Sequence, residues 1–181
     1  MVRIMGNILF IMGQPNVGKT SLIKKLLETG NFTLPIHCTN RPPRKDDDGF
    51  YKYVDESFFT EKNMYIWACD SYGRYYGVQH FIPFNDDTYI VNCSIKSLSQ
   101  VIMKKKICGD SVKVCILLSR NPIIKIKESN QKYSIEEAKY RIEEMKSELD
   151  LLHEYIVEIK DYIFYVEDYS NFDELIKDIE S

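Results

Sequence analysis

The sequence predicts an α/β fold: a parallel sheet of about five strands flanked by helices, interrupted by a small β-rich insert. Three observations predict it. Short apolar runs recur along the 181 residues, at 8–12, 32–38, 88–93, 111–118 and 160–166, and amphipathic stretches follow most of them. Strands that alternate with helices pair in parallel and place helices on both faces. A turn with glycines at fixed spacing joins the first run to the first amphipathic stretch. Between about residues 37 and 85 the alternation gives way to extended segments rich in tyrosine.

The first run, Ile8 to Met12, is short enough for a buried strand, and Gly13 ends it. Gly13-Gln14-Pro15-Asn16-Val17-Gly18-Lys19-Thr20 then matches the pattern G-x-x-x-x-G-K-[ST], with Ser21-Leu22-Ile23-Lys24-Lys25-Leu26-Leu27 opening a helix behind it. Glycines let backbone N–H groups curl around a phosphate chain, and the helix N-terminus adds donors and positive dipole. Lys19 is a compact cation for β- and γ-phosphates, and the Thr20 hydroxyl suits Mg²⁺. A plain strand-to-helix turn would account for one glycine. It does not account for all four fixed positions in the strand, loop, helix context. The motif predicts a nucleoside triphosphate site at residues 13–21 and leaves the phosphoryl acceptor open.

Gly30-Asn31 reads as a helix stop. After the strand at 32–38, Pro42-Pro43 forces an extended path with about three residues per turn, which projects Arg41 and Arg44 to one side. Two guanidinium forks on one side can clamp an anion. They can equally pair with Asp46, Asp47 and Asp48, and charge alone leaves both open. Residues 55–62 read as a short helix capped by Asp55. Residues 64–69 and 74–78 read as two strands around a turn at 71–73. The strand at 88–93 precedes a helix at 94–105, and the strand at 111–118 precedes a stretch, 120–133, that begins as helix and ends as polar loop. Ser134 and Glu137 form a capping box for a long helix to about 158. A last strand at 160–166 and a last helix at 172–179 close the chain.

The totals narrow the classes. The length suits a single domain, 1–181, and 44% apolar residues are ample for a core. A net charge of −3 argues against a general electrostatic grip on nucleic acid or an anionic membrane. No apolar run reaches a membrane span. The N-terminus runs straight into the first strand, so a cleaved signal peptide would delete the centre of the fold. Five cysteines, odd in number and never in a C-x-x-C pair, fit a reducing cytoplasm better than a disulfide framework or zinc site.

Three blocks, in order, resemble the guanylate kinase family. The first is Gly13 to Thr20. The second, Cys38-Thr39-Asn40-Arg41-Pro42-Pro43-Arg44 with Gly49-Phe50-Tyr51, is similar to T-T-R-x-P-R and G-x-D-Y. The third, Trp67-Ala68 through Tyr75-Tyr76-Gly77, is similar to E-W-A…Y-Y-G. Arg141-Ile142 and Glu148-Leu149 fall at the spacing of the family's R-L…E-L helix, and residues 161–168 resemble its closing D-Y-V-I-V-N-D-D. The resemblance covers nearly the whole chain. It implies a P-loop kinase core at 1–36 and 86–181, a nucleoside monophosphate-binding insert at about 37–85, and a lid at about 120–140. It implies ATP and Mg²⁺, with GMP the acceptor. Lys19, Arg44 and Arg141 would be catalytic, and Arg41, Arg44, Tyr51 and Tyr76 would hold the acceptor phosphate. A monomer or small homo-oligomer is expected.

The departures concern the base. The family reads guanine with a glutamate before W-A, where this chain has Ile66. It has Ser or Thr after Y-Y-G, where this chain has Val78. Its L-D-I-D strand is Val91-Asn92-Cys93-Ser94 here, with both aspartates replaced. His37 stands at the family's serine, and with Asn92 is an expected substrate contact; Asp70 and Ser94 are further candidates. The lid's first R-L-x-x-R-G is absent, leaving Lys125, Lys127 and Lys132. The same chemistry on another phosphorylated acceptor therefore stays open, as does a non-catalytic binding module, although the intact motif counts against the latter. A GTPase would need a downstream N-K-x-D to read guanine, and none occurs; it would also leave the second and third blocks unexplained.

Overall fold

The computed structural model describes residues 6–43, 49–70, 72–83, 87–124, 135–169 and 171–180. Its strands are β1 (Asn7–Gly13), β2 (Phe32–Thr33), β3 (His37–Thr39), β4 (Tyr51–Tyr53), β5 (Met64–Cys69), β6 (Tyr75–Gln79), β7 (Thr88–Asn92), β8 (Val112–Leu118) and β9 (Ile163–Tyr165). Its α-helices are α1 (Lys19–Glu28), α2 (Leu98–Cys108), α3 (Ile135–Glu154), α4 (Ile156–Ile159) and α5 (Phe172–Glu180). Five strands form one parallel sheet in the order β2-β7-β1-β8-β9. The most apolar strand, β1, takes the centre, where both faces are covered. The α/β class and the five-stranded parallel sheet match the expectation.

Side-chain alternation along β1 splits the core in two. Leu9 and Ile11 face α1 and α5, against Leu22, Leu26, Leu175 and Ile179. Ile8, Phe10 and Met12 face the other way, against Leu98 and Val101 of α2 and Leu152 of α3. Each such side chain contributes roughly 1.5–3 kcal/mol by leaving water. Among the described residues no helix is long and apolar enough to cross a membrane. All five cysteines are free.

The second sheet has the order β4-β3-β6-β5. The hairpin of β5 and β6 is antiparallel, and β3 pairs antiparallel with β6 and parallel with β4. Ile66 and Val78 of this hairpin are fully buried in the same core as Phe10, so the small sheet is packed onto the large one.

Several expected elements are corrected. The strand expected at 32–38 is two strands in different sheets. Pro35, which has no N–H to donate, lies between β2 and β3. The helix expected at 55–62 is a single 3₁₀ turn, Glu56–Phe58, and the Asp55 side chain makes no cap bond. Phe59 packs with Cys38 and Met64, and Thr60 to Asn63 already form the next turn, so no second helical turn develops. The long helix stops at Glu154, and α4 resumes after Tyr155. The last strand is only Ile163–Tyr165, with 3₁₀ turns on either side. The capping residue Ser134 and the side chain of Glu137 lie outside the described residues.

Candidate active site

The loop after β1 is built by its glycines and by one glutamine. Gly13 has φ +150°, and a Cβ there would collide with the Leu117 carbonyl. Gly18 has φ +98°, and Asn16 takes φ 59°, a conformation in which asparagine is enriched among non-glycine residues. The Gln14 side chain turns inward, 1% exposed, and its Oε1 accepts the Ser119 amide at 2.8 Å. That bond ties the loop to the end of β8. Val17 is also buried, against α1 and α5. Neither Gln14 nor Val17, both expected at the nucleotide, lines the cleft on this side of the loop, and Val17 borders the cavity on the other side instead. Gly13, Pro15, Asn16, Gly18, Lys19, Thr20 and Ser21 line an open cleft of about 630 Å³. Lys19 Nζ donates to the carbonyls of Gly13 at 2.7 Å and Gln14 at 2.8 Å. Burial pushes its ammonium down to about 8, with Glu148 pulling the other way.

The small sheet forms the facing wall. Arg41 is only 5% exposed, and it lines the cleft. Its Nη1 donates to the Pro42 carbonyl at 3.0 Å, and its guanidinium lies 5.1 Å from the centre of the Tyr51 ring. Tyr51 meets Tyr76 edge-on at 6.3 Å, and both line the cleft. Arg44 and Asp46 to Asp48 lie outside the described residues, as do Lys125, Lys127 and Lys132 of the expected lid. In the second turn of α3 the Tyr140 ring meets Tyr72 at 3.4 Å, bringing α3 against the tip of the hairpin.

His37 is a correction. It is buried outside the cleft lining, with Nε2 accepting the Asn92 amide at 2.9 Å and Nδ1 donating to the Pro35 carbonyl at 2.8 Å. Both ring nitrogens are spent on backbone, so none reaches a substrate. Asp70 lines the cleft, but its Oδ1 accepts the amides of Tyr72 and Arg74, both at 2.9 Å, and so closes the hairpin turn. Asn92 does line the cleft, and its Oδ1 is buried with no hydrogen-bond partner.

A third wall comes from α3. Arg141, Glu144 and Glu148 recur at helical spacing and all line the cleft. Glu144 pairs with Lys96 at 3.0 Å. Glu148 Oε1 accepts the Ser94 hydroxyl at 3.3 Å. Burial pushes the Glu148 carboxyl up to about 7, with Lys19 pulling it down. Sequence matching set Glu148 beside Arg141 without giving it a task. The missed signal was a charge within the apolar stripe of Met145 and Leu152.

On the other side of the loop a cavity of about 400 Å³ lies between Asn16 to Gly18 and Tyr169, Phe172 and Leu175. Among the described residues no three His, Cys, Asp or Glu side chains are grouped to hold a metal. A cation here must bring most of its own ligands. Thr20, with the buried oxygens of Asn92 and Glu148, suits a hydrated Mg²⁺ carried on a polyphosphate.

No protein-family model matches the chain. Curated relatives do. It is 37% identical over 76 residues to the guanylate kinase of Nitrosomonas europaea, covering 38% of each chain. It is 40% identical over 78 residues to that of Lawsonia intracellularis, covering 40% of this chain and 37% of the relative. The matches thus span less than two-fifths of those relatives. Among solved structures, guanylate kinase from Anaplasma phagocytophilum shares the fold with a TM-score of 0.66 and 16% identity, covering 97% of this chain and 83% of that one. Sequence likeness and fold likeness fall on the same family.

Proposed function

We propose, from its likeness to guanylate kinases in sequence and in fold, that this chain is an enzyme of that family, a nucleoside monophosphate kinase in which ATP and GMP give ADP and GDP. One observation carries this: the Lys19 loop and the wall of Arg41, Tyr51 and Tyr76 open into the same cleft. A phosphate-binding loop alone suits any protein that binds a nucleoside triphosphate. A second cationic and phenolic wall facing it suits a phosphorylated acceptor.

The donor phosphates would lie in the loop of residues 13–21, on the backbone N–H groups that follow Pro15, and Lys19 would leave its two carbonyls for the β- and γ-oxygens. The donor base would enter the second cavity, against Tyr169 and Phe172. Arg41, Arg44, Tyr51 and Tyr76 would hold the acceptor phosphate, and Arg141 would neutralise the charge between the two. An acceptor phosphate oxygen then bonds to the γ-phosphorus, the bond from that phosphorus to the β–γ bridging oxygen breaks, and the oxygen leaves on ADP. The acceptor is already anionic, so no protein base is required. The chain's share is positioning and charge neutralisation. Mg²⁺ bound to the nucleotide would spread the charge on the β- and γ-oxygens, held by Thr20. The free cysteines suit a reducing cytoplasm.

A second acceptor class is favoured by Ile66 and Val78, which carry no hydrogen-bonding side chain where the family reads guanine. The test is ADP formation from ATP and Mg²⁺ with GMP, dGMP, AMP, CMP, UMP, dTMP and phosphorylated sugars in turn. GMP should be turned over, and Lys19→Ala should lower kcat by about 10²–10³ with unchanged circular dichroism. Turnover of a different acceptor alone would shift the substrate. Turnover of none would leave a binding module.

A further inference from the structure

We propose that Glu148 supplies, toward the divalent cation that accompanies the nucleotide, the carboxylate that the end of β7 lacks. This rests on the assignment of the cleft to a nucleoside triphosphate.

Glu148 is an anomaly in a cleft built for phosphates. It is 5% exposed, and it lines the cleft together with Lys19, Thr20 and Ser94. The other acids on that lining are accounted for. Glu144 is paired with Lys96, and Asp70 closes the hairpin turn. Glu148 has one oxygen on the Ser94 hydroxyl at 3.3 Å and the other, Oε2, buried with no hydrogen-bond partner. A buried carboxylate oxygen without a donor is costly, and one that faces a polyphosphate is repelled as well.

A cation between carboxylate and phosphate removes both penalties. Lys19 gives Oε2 no hydrogen bond: its Nζ is directed at the carbonyls of Gly13 and Gln14 in this structure, and with nucleotide bound it would turn to the β- and γ-oxygens. Mg²⁺ keeps several waters and takes one or two carboxylates besides phosphates. Its waters are hydrogen-bond donors. Glu148 Oε2 and Asn92 Oδ1 are acceptors, both buried and both unpartnered, on one lining. Ser94 links the two positions: it lies two residues after Asn92 and holds the other Glu148 oxygen. The strand end itself, Asn92-Cys93-Ser94, brings no carboxylate. Glu148, reaching across from α3, does. It is a positioning residue, acting on the hydration shell of the cation rather than on the transferred group.

The experiment measures ATP affinity of the full chain with Mg²⁺ and with chelator, and follows Mn²⁺ in the nucleotide complex by electron paramagnetic resonance. In the parent, Mg²⁺ should tighten ATP binding. Glu148→Gln should lose about tenfold of that gain, alter the Mn²⁺ signal, and bind metal-free ATP at least as tightly as the parent. Asn92→Asp, which returns a carboxylate to the strand end, should enlarge the gain in the parent and restore it in Glu148→Gln. A full Mg²⁺ gain in Glu148→Gln would overturn the proposal. So would equal weakening of metal-free and Mg²⁺-bound ATP, which would make Glu148 a support for Lys19 or the fold. Should Glu148→Gln not fold, Asn92→Asp decides alone, and an unchanged gain overturns the proposal. A parent that binds ATP in neither form would instead refute the nucleotide assignment itself.

Discussion

The Nε2 of His37 accepts the backbone amide of Asn92 at 2.9 Å, and this bond ties the small sheet to the end of the central one. The amide can only donate, so Nε2 carries no proton, and Nδ1–H is left to donate to Pro35. The ring is the neutral Nδ1–H tautomer, wedged against Phe50 at 5.0 Å. A residue expected to touch substrate instead joins the two sheets beside the cleft.

Burial pushes the His37 imidazole down to about 4 from 6.5. The folded state therefore refuses a proton that the unfolded chain accepts. Stability is intact above about pH 6.5 and falls as the pH drops from there toward about 4, by roughly 3 kcal/mol in all from this group. Urea unfolding between about pH 7 and about pH 4.5 measures the slope. His37→Gln should be less stable at neutral pH and lose less on acidification. Parallel declines in parent and variant would show that His37 does not titrate in this way.

Gln14 should matter for the loop without touching ligand. Gln14→Leu keeps the volume, but it orphans the buried Ser119 amide at a cost of about 1–3 kcal/mol. Thermal melting should show the loss, and KM for ATP should rise as the loop loosens. Gln14→Glu, which retains an acceptor, should lose less. A Gln14→Leu variant that melts with the parent would remove the tie from the account.

Local signals made much of this fold legible. The loop and its flanking strand and helix followed from an unbroken apolar run and four fixed positions, and β5 was expected at the residues it occupies. Non-local pairing hid the rest. Tyr51-Lys52-Tyr53 is too short to announce a strand, and it finds β3 only across the polar stretch after Pro43. His37 looked like a site residue because its partners, Pro35 and Asn92, come together only after both sheets form. Glu148 was hidden among the other acids of α3, because burial of one carboxylate is a property of packing and not of composition.

Arg41 should govern the acceptor and not the donor. A charge-assisted bond to phosphate is worth about 1.5–3 kcal/mol, so Arg41→Ala should raise KM for the acceptor about ten- to hundredfold. KM for ATP should hardly move, because Arg41 lies on the wall of the small sheet, facing the Lys19 loop. Arg41→Lys should recover only part of the loss, since an ammonium has no planar fork. Equal effects on both substrates would return Arg41 to a structural role over Tyr51.

Base selectivity should be modest. Ile66 lies opposite Val78, and Val78 opposite His37, in adjacent strands. The first two are fully buried in the core, and the third spends both nitrogens on backbone. The two positions at which the guanylate kinase resemblance implies groups that read guanine, 66 and 78, therefore present none, and the expected substrate contact beside them, His37, offers no ring nitrogen. A site that hydrogen-bonds a base through buried groups rejects others by about 10⁴, because the wrong base leaves those groups unpaired. Here Ile66 and Val78 have no polar side-chain group for a wrong base to leave unpaired, and the His37 nitrogens keep their backbone partners. The ratio of kcat/KM for GMP over AMP should accordingly fall below about 10⁴. A larger ratio would mean that guanine is read from another wall of the cleft. Asn92→Ala would then separate the cases: a collapse of the ratio assigns the reader to that side chain, and an unchanged ratio assigns it to Asp70 or to the backbone of β5 and β6.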